Sequence, residues 1–103
     1  MHRDAKIYVA GHGGMVGSAL VRRLQAGGYG RILTRSRSEL DLADQRAAFD
    51  FLDREKPDFI FAAAARVGGI QANASEPADF LYRNLAIECN LIHGAHRAGV
   101  PRL

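Results

Sequence analysis

The stretch 9–19, VAGHGGMVGSA, sets glycines at 11, 13, 14 and 17 between a short apolar run and an apolar-periodic segment. No other feature of the chain restricts its fold as tightly. Before the loop, KIYVA at 6–10 is brief, apolar and bounded by Gly11, as expected of a strand buried on both faces. From Met15 the period changes. Val16, Ala19, Leu20 and Leu24 recur at helical spacing, and Gly27-Gly28 supplies the stop. A strand that turns through glycines into a helix aims free backbone N–H groups and a positive dipole end at one place, which suits a phosphate.

The three-spaced set Gly11, Gly14 and Gly17 matches the first turn of a dinucleotide-binding unit. Gly11 lets the chain leave the strand in a tight turn. Gly14 lets the backbone approach a pyrophosphate with no Cβ in the way, and Gly17 lets the helix pack close to the strand. On the glycines alone, a turn that binds nothing is an equal reading. The strand before, the helix after and a second strand at the right distance favour the dinucleotide. A P-loop is excluded, because no Lys-Ser or Lys-Thr follows the glycines.

Downstream, RILT at 31–34 reads as a second strand and RSRSELDLAD as a polar loop. Asp44 is placed to cap a helix through QRAAFDFLDREK, with Phe49 and Leu52 on its apolar side and Pro57 at its end. DFIFAAAA at 58–65 is a third strand, and RVGGIQANASEP a loop. A long helical pattern from about Pro77 to Ala98 is closed by Gly99 and Pro101. Strand, helix, strand, helix, strand, helix specifies an α/β fold: a Rossmann-type parallel sheet with right-handed crossovers and helices on both faces. The 103 residues make one domain.

The end of the second strand distinguishes NAD from NADP. An acid there accepts from the ribose 2′-hydroxyl and repels a 2′-phosphate. This chain has Arg35 and Arg37, and a planar guanidinium with paired donors suits a phosphate. NADP is the cofactor this implies. Two solvated arginines in a polar loop are the competing reading, and Glu39 is the residue that opposes the assignment.

Bulk properties narrow the rest. The formal charge of +3 comes without a dense basic run, so nucleic acid is not the expected partner. One cysteine, Cys89, rules out a disulfide within the chain and points to a reducing cytoplasm. No signal-peptide core opens the chain, and FIFAAAA falls far short of the ~20 apolar residues of a membrane span.

AAAARVGGIQANASEPADFLYRN, together with GHGGMVGSA and RSRSELDL, resembles the N-terminal part of the GDP-L-fucose synthases. These are NADP-dependent epimerase/reductases among the extended short-chain dehydrogenase/reductases. The resemblance runs over nearly the whole chain, and VGGI.AN...PADF is its distinctive segment. It implies that the loop of Gly11, His12, Gly13, Gly14, Met15, Val16 and Gly17 wraps the cofactor pyrophosphate. It assigns the adenosine 2′-phosphate to Arg37, supported by Arg35, and puts Asp41 and Leu42 beside the adenine. Ala63, Ala64 and Ala65 would face the nicotinamide-side ribose, and Arg66, where the family usually has Lys, would lie near the substrate. The substrate is GDP-4-keto-6-deoxymannose, epimerised at C3 and C5 and reduced at C4 with NADPH. The full-length enzyme is expected to be a cytoplasmic homodimer.

Two departures stand out. The family usually reads Gly-His-Arg-Gly, its Arg helping to hold the 2′-phosphate; here Gly13 replaces it. The chain also has no Tyr-x-x-x-Lys, since its only lysines are Lys6 and Lys56. In this superfamily Tyr protonates the carbonyl and Lys lowers its pKa. Residues 1–103 therefore read as a partial NAD(P)-binding domain, the N-terminal half without the catalytic half, and inactive by itself. Another NAD(P)-dependent nucleotide-sugar epimerase/reductase, or a non-catalytic dinucleotide-sensing module, remains open.

On the long helix, Phe80, Leu81, Leu85, Ile87, Cys89, Leu91, Ile92 and Ala95 span an arc of roughly 200°. Arg83, Glu88, Asn90 and Arg97 fill its polar remainder. One sheet face needs about half that arc, so a second contact is expected. If nothing covers it, the chain should aggregate through Leu81, Leu85, Ile87, Leu91 and Ile92. His93 and His96, one turn apart, read as a solvated or partner-facing pair, Cys89 as buried in core or interface, and no metal site is expected.

Overall fold

The computed structural model of the chain describes residues 2–63 and 77–101. Its elements follow the expected order: β1 Lys6–Ala10, α1 Met15–Ala26, β2 Arg31–Leu33, α2 Gln45–Glu55, β3 Phe59–Ala62 and α3 Pro77–Ala98. The strands form a parallel sheet in the order β2-β1-β3. Ile7 pairs with Ile32 and Tyr8 with Leu33 on one side of β1, and Tyr8 pairs with Ile60 and Val9 with Phe61 on the other.

That order explains why β1 lacks polar alternation: each of its faces is covered by helix. Ile7 and Val9 point to one side, packing with Leu24 of α1, Leu20, Ile32 and Phe59. Tyr8 and Ala10 point to the other, where Ala48, Phe51 and Leu52 of α2 meet Ile87, Leu91 and Ala95 of α3. The Tyr8 and Phe51 rings lie 4.8 Å apart in a tilted contact.

The caps fall where the local chemistry places them. Asp44 Oδ1 accepts from the Ala47 N–H at 3.2 Å, a bond that contributes about 1 kcal/mol. α2 stops one residue earlier than Pro57 requires, because Lys56 takes φ 44° and returns its N–H to the Leu52 carbonyl. The α1 and α3 C-termini close alike: Tyr29 and Val100 each donate from N–H to the carbonyl five residues back, Leu24 and Ala95, as in a Schellman ending.

Three expectations about helix faces are corrected. Ala48, Phe51 and Leu52 share the buried face of α2, and Phe49 sits at its shoulder against the His93 ring at 5.6 Å. Asn90, expected among the solvated residues of α3, is buried. Cys89, expected in the core or an interface, is exposed and so is not part of this chain's core. Of the apolar arc, Ile87 and Leu91 belong to the core, while Leu81, Leu85 and Ile92 stand about half exposed at 49%, 50% and 55%. The patch expected to be exposed thus loses Ile87 and Leu91 and keeps Leu81, Leu85 and Ile92. Among the described residues no helix is long and apolar enough to cross a membrane.

Candidate cofactor site

In a parallel sheet, ligands bind where successive crossovers leave for opposite faces, beyond the carboxyl ends of the strands. Here the connection from β1 to β2 carries α1 over one face, and the connection from β2 to β3 carries α2 over the other. β1 lies between, so the crevice opens at its C-terminal end. A cleft of about 290 Å³ is found there. Gly11 and Gly14, after β1, form its middle. Arg35 and Arg37, after β2, lie toward one side, and Ala63, after β3, toward the other. Leu40, Leu42 and Ile87 supply apolar wall.

The glycine turn is built by its backbone. Gly11 has φ 84°, in the left-handed region that a side chain disfavours, and its carbonyl accepts from the Gly14 N–H at 3.1 Å. Gly14 is the N-cap of α1 and brings no side chain to cap it; no acid stands in the first turn. The first N–H groups of α1 are thus left for a ligand or water. Gly17 packs directly beneath the turn. A Cβ on it would run into the Gly11 carbonyl oxygen and stand 2.6 Å from the Gly11 carbonyl carbon and 2.9 Å from His12 Cα. Met15 and Val16 are exposed on the opening turn. His12 Nδ1 is buried with no hydrogen-bond partner among the described residues. Gly13 differs from Gly17: a Cβ on it would meet nothing within 4 Å.

The two arginines are held differently. Arg35 Nη1 donates to the Thr34 carbonyl at 2.7 Å, its Nη2 stands 3.9 Å from Glu55, and its guanidinium lies 5.2 Å over the Phe51 ring. Its charge is therefore shared with Glu55, whose carboxyl is held below its usual range by the Lys6 ammonium first, at 2.9 Å, and by Arg54 and Arg35 after it. Arg37 is exposed and makes no hydrogen bond or ion pair among the described residues. Beneath the cleft, burial pushes the Tyr8 hydroxyl up to about 12 against a smaller opposing pull from Arg35. It is a core phenol that stays protonated near neutral pH.

The acids of the loop are engaged as well. Glu39 accepts from the Ser36 N–H at 2.7 Å, and this bond, with one from the Ser36 hydroxyl, lowers its pKa. Asp41 accepts from the Ala43 N–H at 3.0 Å and from Arg83 Nη2 at 2.8 Å. Partial burial pushes its carboxyl up, but these two donors together outweigh that and hold it below the ordinary range. The adjoining Leu42 is buried, and its carbonyl accepts from Asn90 Nδ2 at 2.8 Å.

The structure thus brings Gly11, Gly14, Arg35, Arg37, Leu42 and Ala63 to one cleft, with His12, Met15, Val16 and Gly17 in the turn beside it. Ala64, Ala65, Arg66 and the Phe80 side chain lie outside the described residues. Arg83 and Ile87 of α3 also line the cleft, and neither was foreseen as part of it. A signal was available for Asn90. It shares a helix face with Ile87 and Leu91 at i+3 and i+4, so a polar residue was being placed in the core. His93 and His96 are exposed with rings 6.4 Å apart, and no group of three metal-binding side chains occurs among the described residues.

The profile of the NAD dependent epimerase/dehydratase family matches residues 7–103. GDP-L-fucose synthase 1 of Arabidopsis thaliana is 48% identical over 101 residues, which are 98% of this chain and 31% of that protein. GDP-L-fucose synthase of Escherichia coli (strain K12) is 49% identical over 98 residues, 95% of this chain and 30% of that protein. The solved structure of GDP-mannoheptose C4 reductase from Campylobacter jejuni, with NADP bound, is similar with a TM-score of 0.90 at 42% identity, over 97% of this chain and 30% of that one. The chain therefore spans about a third of the length of the proteins it matches.

Proposed function

The chain belongs to the NAD dependent epimerase/dehydratase family, and from that premise we propose that it is the NADP-binding N-terminal part of a GDP-L-fucose synthase. The observation that carries this is the single cleft that joins a glycine turn with an uncapped helix start to two arginines, while the loop's acids are engaged elsewhere. The relatives named above, near 50% identical along almost the whole chain, supply the activity. The whole protein would epimerise GDP-4-keto-6-deoxymannose at C3 and C5 and reduce its C4 ketone.

The residues present fit the cofactor. Backbone N–H groups at Met15 and Val16, in the uncapped first turn of α1, are left for a pyrophosphate, and the buried, unpartnered Nδ1 of His12 is a polar atom in the same turn. Arg37 is free to pair with the 2′-phosphate, with Arg35 behind it. Asp41 and Leu42 would border the adenine, and Ala63 the nicotinamide ribose. NADPH, when bound, supplies the electrons for the ketone; this chain holds and orients it. The proton donor of the reduction belongs to a partner segment with Tyr-x-x-x-Lys, which residues 1–103 lack, so the chain by itself is a binding half without turnover. The reading includes a homodimer of the whole enzyme, to which the half-exposed Leu81, Leu85 and Ile92 are suited, and a cytoplasmic location. A GDP-sugar C4 reductase that does not epimerise is a second reading, favoured by the fold and 42% identity shared with the Campylobacter reductase.

The test is titration of NADPH and NADH. Wild type is expected to prefer NADPH, and Arg37→Ala to weaken NADPH by about tenfold, the loss of one charge-assisted contact, with little change for NADH. Equal losses for the two cofactors would remove the 2′-phosphate assignment. The converse change is Gly13→Arg. A Cβ at Gly13 meets nothing within 4 Å, so a side chain can start there without a clash. Because it restores the cation the family carries there, it is expected to tighten NADPH about tenfold while leaving NADH and the melting temperature nearly unchanged. Unaltered NADPH affinity would show that position 13 does not reach the phosphate.

A further inference from the structure

One ion pair at the cleft joins residues forty-two positions apart. Arg83 of α3 donates from Nη2 to Asp41 Oδ1 at 2.8 Å, and Arg83 lines the same cleft as Arg35 and Arg37. Asp41 stands in the loop after β2, between Leu40 and Leu42, which line the cleft. A free carboxylate there accepts from a 2′-hydroxyl and repels a 2′-phosphate. Asp41 cannot turn aside, because Oδ1 is anchored to the Ala43 N–H and the next carbonyl, that of Leu42, is bonded to buried Asn90. Glu39, the other acid of the loop, is exposed, bonded to Ser36 and acts on Arg35. Asp41 is the acid that acts on Arg37, the cleft arginine with no ion pair among the described residues.

We infer that Arg83 is a specificity-determining residue: its ion pair cancels the Asp41 carboxylate and leaves the Arg35–Arg37 end of the cleft positive, which selects a nucleotide bearing a 2′-phosphate over one with a free 2′-hydroxyl. Half-exposed pairs of this kind contribute little to stability, so the consequence is read in the ligand rather than in the fold. Arg83 acts through Asp41, as a positioning and neutralising group, without needing to touch the ligand. The inference rests on the NADP reading above and adds to it the residue that permits it.

The probes are 2′,5′-ADP and 5′-AMP, which differ by the 2′-phosphate, titrated calorimetrically into the 103-residue chain. Arg83→Gln is expected to lower the preference for 2′,5′-ADP about tenfold and to leave 5′-AMP within about twofold, the size of one uncompensated charge near a protein surface. Asp41→Asn with Arg83→Gln is expected to restore the preference, since both charges are then gone. Asp41→Asn alone, which frees the guanidinium, is expected to raise it, and carries the test if Arg83→Gln does not fold. An unchanged preference in Arg83→Gln, equal losses for both probes, or a double variant that fails to recover overturns the inference and leaves the NADP reading standing. A wild-type chain with no preference for 2′,5′-ADP overturns the NADP reading and this inference together.

Discussion

Gly17→Ala is expected to abolish cofactor binding and to lower the melting temperature by on the order of 10 °C. The new Cβ would occupy the place of the Gly11 carbonyl oxygen and press on His12 Cα. These are backbone atoms at the junction of β1 and α1, so no rotamer change relieves the contact. Either α1 moves off the sheet, uncovering Ile7 and Val9, or the Gly11–Gly14 turn opens and its carbonyl releases the Gly14 N–H. The first response removes apolar burial; the second removes the pyrophosphate cradle. Overpacking of this kind costs about 1–3 kcal/mol. Gly13→Ala is the control, since its Cβ meets open space, and it should melt and bind as wild type does. Thermal denaturation with NADPH titration on both variants decides the matter. A Gly17→Ala chain with wild-type affinity would mean that the turn does not hold the phosphate.

The glycine turn, the six elements and the Asp44 cap were legible because each depends on residues within a few positions of one another. Gly11, Gly14 and Gly17 act through a single strand-to-helix junction, and Asp44 reaches only Ala47. The strand order was not legible. Alternating strands and helices require a parallel sheet, yet the local pattern does not say that β3 crosses to the far side of β1, and that crossing creates the crevice. Arg83 and Asn90 were hidden for the same reason, since their partners Asp41 and Leu42 lie forty-two and forty-eight residues away. Asn90 looked solvent-facing because amide side chains usually are; here the Leu42 carbonyl beside the core needed a donor. Phe49 and Leu52 were read as the apolar side of α2 and Phe51 was missed, because either phenylalanine could lead the stripe. The Tyr8 ring, one strand away, decides between them.

Leu52→Ala is expected to destabilise the chain by about 2–5 kcal/mol, which is on the order of 10–20 °C in melting temperature. Leu52 is wholly buried where α2 crosses α3, and a Cβ added at Gly94 would come within 2.8 Å of its Cδ1. The helices are this close because Gly94 has no side chain, so the cavity left by the truncation cannot be filled from α3. A domain has about 5–15 kcal/mol of stability in all, so the loss is a large fraction of the total. The consequence reaches the cleft, because the same cluster seats Leu42, which with Leu40 lines it. NADPH affinity is therefore expected to fall with the melting temperature, and saturating NADPH to recover part of the loss by mass action. Ile92→Ala on the same helix supplies the comparison. Ile92 is 55% exposed, and its truncation should change stability by no more than about 0.5 kcal/mol. Chemical denaturation of the two variants reads the difference directly. Equal losses would place Leu52 outside the core or Ile92 inside an interface that α3 forms with another chain.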